Sequence, residues 1–316
     1  MACIIINKFN VCVRAGFPGN GPDPVFLVMA DNKGGKQANY HGTTILTQVL
    51  RGMWPEFAEK LQSADIFRVE PVKINDLDHF QRIVSQYDAG PCGIAGFFHE
   101  LVLMNYGGIR LDPDYVRGAH QVCREHRIPI AIDEIQSCMW APEQFLFRDY
   151  QCRPDFVAVG KGFAGGQCPA SKILTTAEMD SLSQFGALVT NGQEDLASLT
   201  YLITMEFAEA NREAIRAAGD YYHANAITLA SRYPQLVDQV EGEAHMTTFY
   251  FSSTELAVEF SDYLNRKCCI DVSVHTYKAD CPPAVLTKLP LISSPGAMDF
   301  VIMKMDEALQ ALQAKA

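Results

Sequence analysis

Two short apolar runs in the middle of the chain limit the folds open to it. Ile130-Ala131-Ile132 ends in Asp133-Glu134-Ile135-Gln136, and Phe156-Val157-Ala158-Val159-Gly160 ends in Lys161. Pro129 bounds the first run and Pro154-Asp155 the second. Runs of this kind read as strands buried on both faces, the pattern of a parallel sheet. Such a sheet needs helices on both faces. In open α/β sheets, ligands bind outside the carboxyl ends of the strands. A carboxylate and an amine that leave neighbouring strand ends therefore face one crevice.

One cofactor needs that pair. Pyridoxal phosphate takes a lysine as Schiff base and an acid on its pyridinium nitrogen. Lys161 lies between Gly160 and Gly162, a slim backbone that suits the approach of a flat ring. Asp133 is the acid that keeps the ring nitrogen protonated, so that the ring withdraws electrons from the substrate α-carbon. Gln136 is placed to donate to the phenolic oxygen, and Glu100, at another strand end, to orient the groups around it. Tyr40-His41-Gly42 offers a flat side chain for stacking, and Thr190-Asn191-Gly192 a hydroxyl and turn amides for a phosphate. Taken singly, each has a plainer reading. Lys161 is then a solvated turn lysine, Asp133 and Thr190 are caps, Gln136 is a surface residue and Tyr40 is core. Gly165-Gly166 does not open a nucleotide fingerprint, because no Gly-x-Gly-x-x-Gly follows a strand.

The 316 residues, 48% hydrophobic and 20% charged, suit a large α/β unit with a smaller companion. A formal charge of −11 and a pI near 5.2 argue against nucleic acid or an anionic membrane as partner. The 10 cysteines are scattered without a Cys-x-x-Cys pair, which reads as reduced thiols, with no metal site and a cytoplasmic location expected. No apolar stretch reaches spanning length, and no signal-peptide pattern is evident at the start.

Along the chain, Ala2 to Arg14 reads as an apolar helix before the Gly/Pro-rich turn Gly16 to Pro22, although residues 1–24 are hard to place. Val25 to Ala30 and Gly93 to Phe98 read as strands. A helix capped by Asn75 or Asp76 carries Leu77, Phe80, Ile83 and Val84, and a second begins at Asp112-Pro113. Lys172 to Leu174 reads as a short strand. From Asp195 a helix presents Leu196, Leu199, Leu202, Ile203, Phe207 and Ala210, and another runs from about Glu213 to Arg232. Then come a strand (Met246 to Phe251), a helix (Thr254 to Lys267), a strand (Val272 to Val274) and a closing helix (Met298 to Ala314). The expected fold is a mostly parallel mixed α/β sheet with helices on both faces over residues 1–215, and a small α+β domain over 216–316.

Together these residues resemble the class III pyridoxal-phosphate aminotransferases, of the aspartate-aminotransferase fold type. Tyr40-His41-Gly42-Thr43-Thr44 is similar to the family's aromatic-His-Gly segment, and Ile132-Asp133-Glu134-Ile135-Gln136-Ser137 to its most specific one. Pro154 to Gly162 is similar to the Schiff-base segment, with Gly107-Gly108 and Asp112-Pro113 in the expected order. The resemblance implies amino-group transfer between an amino donor and a keto acid or aldehyde, with Lys161 and Asp133 catalytic. It also implies a homodimer in which Thr190 binds the phosphate of the partner subunit's cofactor. Four departures bear on this. Family members carry a longer amino-terminal region with a phosphate loop, so the phosphate cradle is expected to be incomplete. Cys138-Met139-Trp140 stands where the family tends to a Gly-rich stretch. Lys288 stands where many members have a carboxylate-gripping arginine, and Leu101 where a proline follows the glutamate. Two alternatives follow: racemase or lyase chemistry with the same cofactor, or a truncated or degenerate relative with little catalysis.

Overall fold

The computed structural model describes residues 25–30, 55–63, 68–88, 93–140, 143–180, 182, 194–275 and 281–315. The expected Ala2 to Arg14 helix and the Gly16 to Pro22 turn lie outside the described residues. In chain order the elements are β1 (Val25–Ala30), α1 (Pro55–Ser63), β2 (Arg68–Lys73), α2 (Leu77–Tyr87), β3 (Ile94–His99), β4 (Val102–Leu103), β5 (Ile109–Arg110), α3 (Pro113–Glu125), β6 (Ile130–Asp133), α4 (Leu146–Asp149) and β7 (Phe156–Gly160). A 3₁₀ turn (Lys161–Ala164) follows, then β8 (Ser171–Thr175), α5 (Asp195–Ala210), α6 (Arg212–Ala230), β9 (Val237–Glu243), β10 (Met246–Phe251), α7 (Thr254–Lys267), β11 (Ser273–His275), β12 (Ala284–Lys288) and α8 (Pro295–Gln313).

The chain divides into two compact units. The first comprises residues 1–101, 111–136 and 147–204, and the second 102–110, 137–146 and 205–316. The passage at 204/205 precedes the expected 215/216. The reason is that α6 buries Ile215, Tyr222 and Ala226 from its first turn onward, so it belongs whole to the second unit.

The first unit is built on a six-stranded sheet of order β2-β1-β3-β6-β7-β8. Neighbouring pairs from β2 to β7 are parallel, and β8 closes the edge antiparallel to β7. Phe26, Leu27, Val28, Phe97, Ile132 and Val159 are buried, as continuous apolar runs require. The helix starts are set by caps. Asp76 accepts from the His79 N–H at 2.8 Å to begin α2, and Asp112 accepts from the Asp114 and Tyr115 N–H groups, with Pro113 in the first turn of α3. Buried Tyr115, Val116, Ala119, His120 and Cys123 form the inner face of α3 at helical spacing.

The second unit holds an antiparallel sheet of order β11-β12-β10-β9. Its core combines Ala226, Leu229, Phe249, Phe251, Phe260, Leu264, Val285, Met305 and Leu309 from α6, β10, α7, β12 and α8. β9 and β12 were not read from the sequence. Polar residues interrupt β9, and β12 has only a three-residue apolar run, Ala284 to Leu286, before Thr287 and Lys288; both pair with the apolar β10.

Candidate active site at the carboxyl edge of the parallel sheet

Asp133 is the last residue of β6, and Lys161 directly follows β7. These strands are parallel neighbours, with Asp133 opposite Ala158. Adjacent strands lie about 4.8 Å apart, so the carboxylate and the amine rise from backbones one strand apart, at one edge of the sheet. Asp133 is half-buried, and its Oδ1 accepts the Ile135 N–H at 3.0 Å. That bond turns the chain sharply at the strand end. Lys161 is exposed and holds φ at +43°, the left-handed region that a lysine rarely adopts. The 3₁₀ turn that fixes it ends at Gly165, whose φ is +57°.

Gly160 does not leave room for a ring, as its sequence position suggested. A Cβ there would meet the Ala170 carbonyl oxygen at 2.9 Å, so glycine is required by the close pairing of β7 with β8. Gln136 is half-buried in the turn after Asp133. Glu100 is buried at the end of β3, the strand on the other side of β6, where His99 pairs with Ile132. The structure therefore brings Glu100, Asp133, Gln136 and Lys161 to one sheet edge of the first unit. Tyr40, His41, Gly42 and Thr190 lie outside the described residues.

Glu134 and a histidine pair next to these residues were not singled out in the sequence. Glu134 is fully buried, and its Oε1 accepts the Phe147 N–H at 2.6 Å, tying the start of α4 to the Asp133 turn. His99 Nε2 lies 2.8 Å from His120 Nε2, and His99 Nδ1 lies 2.9 Å from the Glu100 carbonyl oxygen. Burial foremost, with the neighbouring His99 ring and Arg124 acting in the same direction, pushes His120 down to about 2, so it is neutral at physiological pH. No local sequence signal pairs histidines on a strand and a helix; only the fold does.

In the second unit, the Lys288 ammonium stands 5.9 Å from the centre of the Trp140 ring. This is cation–π range and joins two of the positions at which the sequence departs from the class III pattern. On α5, Leu196 (75% exposed), Leu199, Leu202, Ile203 and Phe207 form an uncovered apolar stripe. Among the described residues, no helix is long and apolar enough to cross a membrane.

Similarity to known proteins agrees with this arrangement. The mitochondrial ornithine aminotransferase of Arabidopsis thaliana is 25% identical over 195 residues, which cover 59% of this chain and 39% of that protein. An uncharacterised aminotransferase of Schizosaccharomyces pombe is 24% identical over 292 residues, covering 87% of this chain and 57% of that protein. The chain thus spans about half the length of the curated relatives it matches. The crystal structure of the ornithine aminotransferase from Toxoplasma gondii ME49 has the same fold, with a TM-score of 0.77 at 16% identity, over 100% of this chain and 70% of that one. The model of the Aminotransferase class-III family matches residues 36–269, and the chain belongs to that family.

Proposed function

We propose that this chain is a pyridoxal-phosphate-dependent aminotransferase subunit that moves an amino group between an amino donor and a keto acid or aldehyde. The observation that carries the reading is the register of β6 against β7, which sets Asp133 and Lys161 at adjacent parallel strand ends. Class III aminotransferases depend on pyridoxal phosphate, and a further T. gondii ornithine aminotransferase structure, of TM-score 0.76, has that cofactor at partial occupancy in its active site. The donor set suits the group. An amine at a strand end, open to an incoming aldehyde, and a half-buried carboxylate one strand away match the lysine and acid that the cofactor takes.

When bound, the cofactor supplies an electron sink for the pair of electrons left on the substrate α-carbon. Lys161 Nζ is the group that would hold the cofactor through its aldehyde. With an amino donor bound, the free Nζ would take the α-proton as general base and return a proton as general acid. The Asp133 carboxylate keeps the ring nitrogen protonated, and the Ile135 amide holds that carboxylate in orientation. Gln136 and Glu100 would orient the groups around the phenolic oxygen; the class III resemblance gives Tyr40, His41 and Gly42 the stacking role and Thr190 the phosphate of a partner subunit's cofactor. The uncovered stripe on α5 supports the dimer. The first unit is the cofactor-binding unit. Seven free cysteines among the described residues support a reducing compartment, with the cytoplasm the assignment we favour.

Borohydride reduction of the loaded protein followed by peptide mapping tests the assignment. The cofactor should be trapped on Lys161, and label on another lysine with Lys161 unmodified would overturn it.

A further inference from the structure

We propose that His99 and His120 act as a neutral, hydrogen-bonded imidazole pair that positions Glu100 at the carboxyl edge of the sheet. The role rests on the reading above that Glu100 faces the cofactor. Both rings are buried, each at 1% exposure. The Phe97 ring stacks on His99 at 4.6 Å and 24°, and the His120 ring meets it edge-on at 5.1 Å and 62°. Phe97 is in turn held by Phe80 of α2 at 4.8 Å. The His99 ring is thus fixed in plane by its own strand and at its edge by α3.

The hydrogen bonds then select the tautomers. A carbonyl oxygen only accepts, so the 2.9 Å contact with the Glu100 carbonyl makes His99 Nδ1 the donor. In the neutral ring, Nε2 is then an acceptor, and the 2.8 Å contact makes His120 Nε2 the donor to it. This leaves His120 Nδ1 as a bare acceptor, and it is a buried nitrogen with no hydrogen-bond partner. One orphaned lone pair is the cost of a chain of donors that runs in one direction, from α3 through β3 to the backbone of Glu100. The chain has a site to serve. His99 pairs with Ile132, so Glu100 and Asp133 are the next residues along two neighbouring strands. A shift of the Glu100 peptide moves the carboxyl that the reading above places at the cofactor. His99 and His120 are positioning residues in this account and touch no substrate.

The test uses the full chain without cofactor, labelled with ¹⁵N-histidine and ¹³C-carbonyl glutamate, together with His120→Leu and His120→Gln. In the unmodified chain, NMR should show two neutral rings of opposite tautomer, Nδ1–H for His99 and Nε2–H for His120. The His120 ring should not titrate between about pH 6 and 8, the range in which an ordinary histidine does. Gln places an amide N–H where His120 Nε2 stood, so His120→Gln should leave the His99 tautomer and the Glu100 carbonyl signal in place. His120→Leu removes the donor, and both signals should move. His120→Asn, too short to reach, serves the same purpose if the leucine variant does not fold. A doubly protonated His99, or two rings of the same tautomer, overturns the pair. So does a folded His120→Leu or His120→Asn variant with an unmoved Glu100 signal. With pyridoxal phosphate added, the apparent pKa of the visible band should shift in His120→Leu and return in His120→Gln. An unshifted band overturns the positioning role. An intact pair in a chain that forms no band overturns the proposed function instead and leaves the pair standing.

Discussion

Asp133 meets two demands with one side chain. Its Oδ1 holds the strand-to-turn backbone through the Ile135 amide, and its charge is the partner assigned to the ring nitrogen. Asn keeps the shape and the amide bond but not the charge. Asp133→Asn should therefore fold and bind cofactor, while the half-transamination rate falls about 100- to 1,000-fold, or about 3–4 kcal/mol, as for other preorganised electrostatic contributions. A rate within a few-fold of the unmodified protein would rule out the electron-sink role. Glu134 is structural by contrast. Glu134→Ala removes the bond to the Phe147 N–H and should lower unfolding free energy by about 1–3 kcal/mol, read from denaturant midpoints. The histidine pair gives a pH signature. His120 titrates near 6.5 when unfolded and at about 2 when folded, so the unfolded chain binds the extra proton between those values. Stability from this group is complete above pH 6.5 and is lost as pH falls. Between pH 7 and pH 5 the loss from His120 should be about 2 kcal/mol. His120→Gln should flatten that slope, and equal slopes in the two proteins would contradict it.

At the scale of elements, the site depends on how strands end and helices begin. α3 leads directly into β6, and its cap is a single carboxylate that accepts two backbone N–H groups. Asp112→Ala should cost about 1 kcal/mol of stability in thermal or denaturant unfolding. α5 carries apolar residues that remain exposed. Leu199 and Leu202 are 51% and 59% exposed, on a helix where the sequence pattern alone would bury them. The homodimer proposed above would cover such a stripe. The double substitution Leu199→Glu and Leu202→Glu should convert a dimer to a monomer in light scattering, and an unmodified chain that is already monomeric at micromolar concentration would end this reading.

At the scale of the molecule, two units with separate cores follow from the way the chain divides. Asp133 and Lys161 both belong to the first. A ligand raises the stability of the unit that binds it, by about 2.7 kcal/mol at a hundredfold excess over its Kd. Calorimetry with pyridoxal phosphate should therefore move one transition upward and leave the other in place. A single transition that moves as a whole would show the units unfolding together.

The sequence by itself determined the parallel sheet, because continuous apolar runs such as Ile130 to Ile132 and Phe156 to Val159 have few other places to go. It also determined the helix starts at Asp76 and Asp112, because caps are local chemistry, and it singled out Asp133 and Lys161, because residues at strand ends carry a readable pattern. The edges were not legible. β2 and β9 are interrupted by polar or proline residues, β12 has only a three-residue apolar run, and all three pair with an apolar neighbour. The purpose of Gly160 was misread, since the carbonyl that needs its missing Cβ comes from Ala170 across the sheet. His99 and His120 are 21 residues apart on different elements. Their meeting is a product of packing α3 against β3, and a contact that depends on two faces being brought together leaves no trace in the periodicity of either.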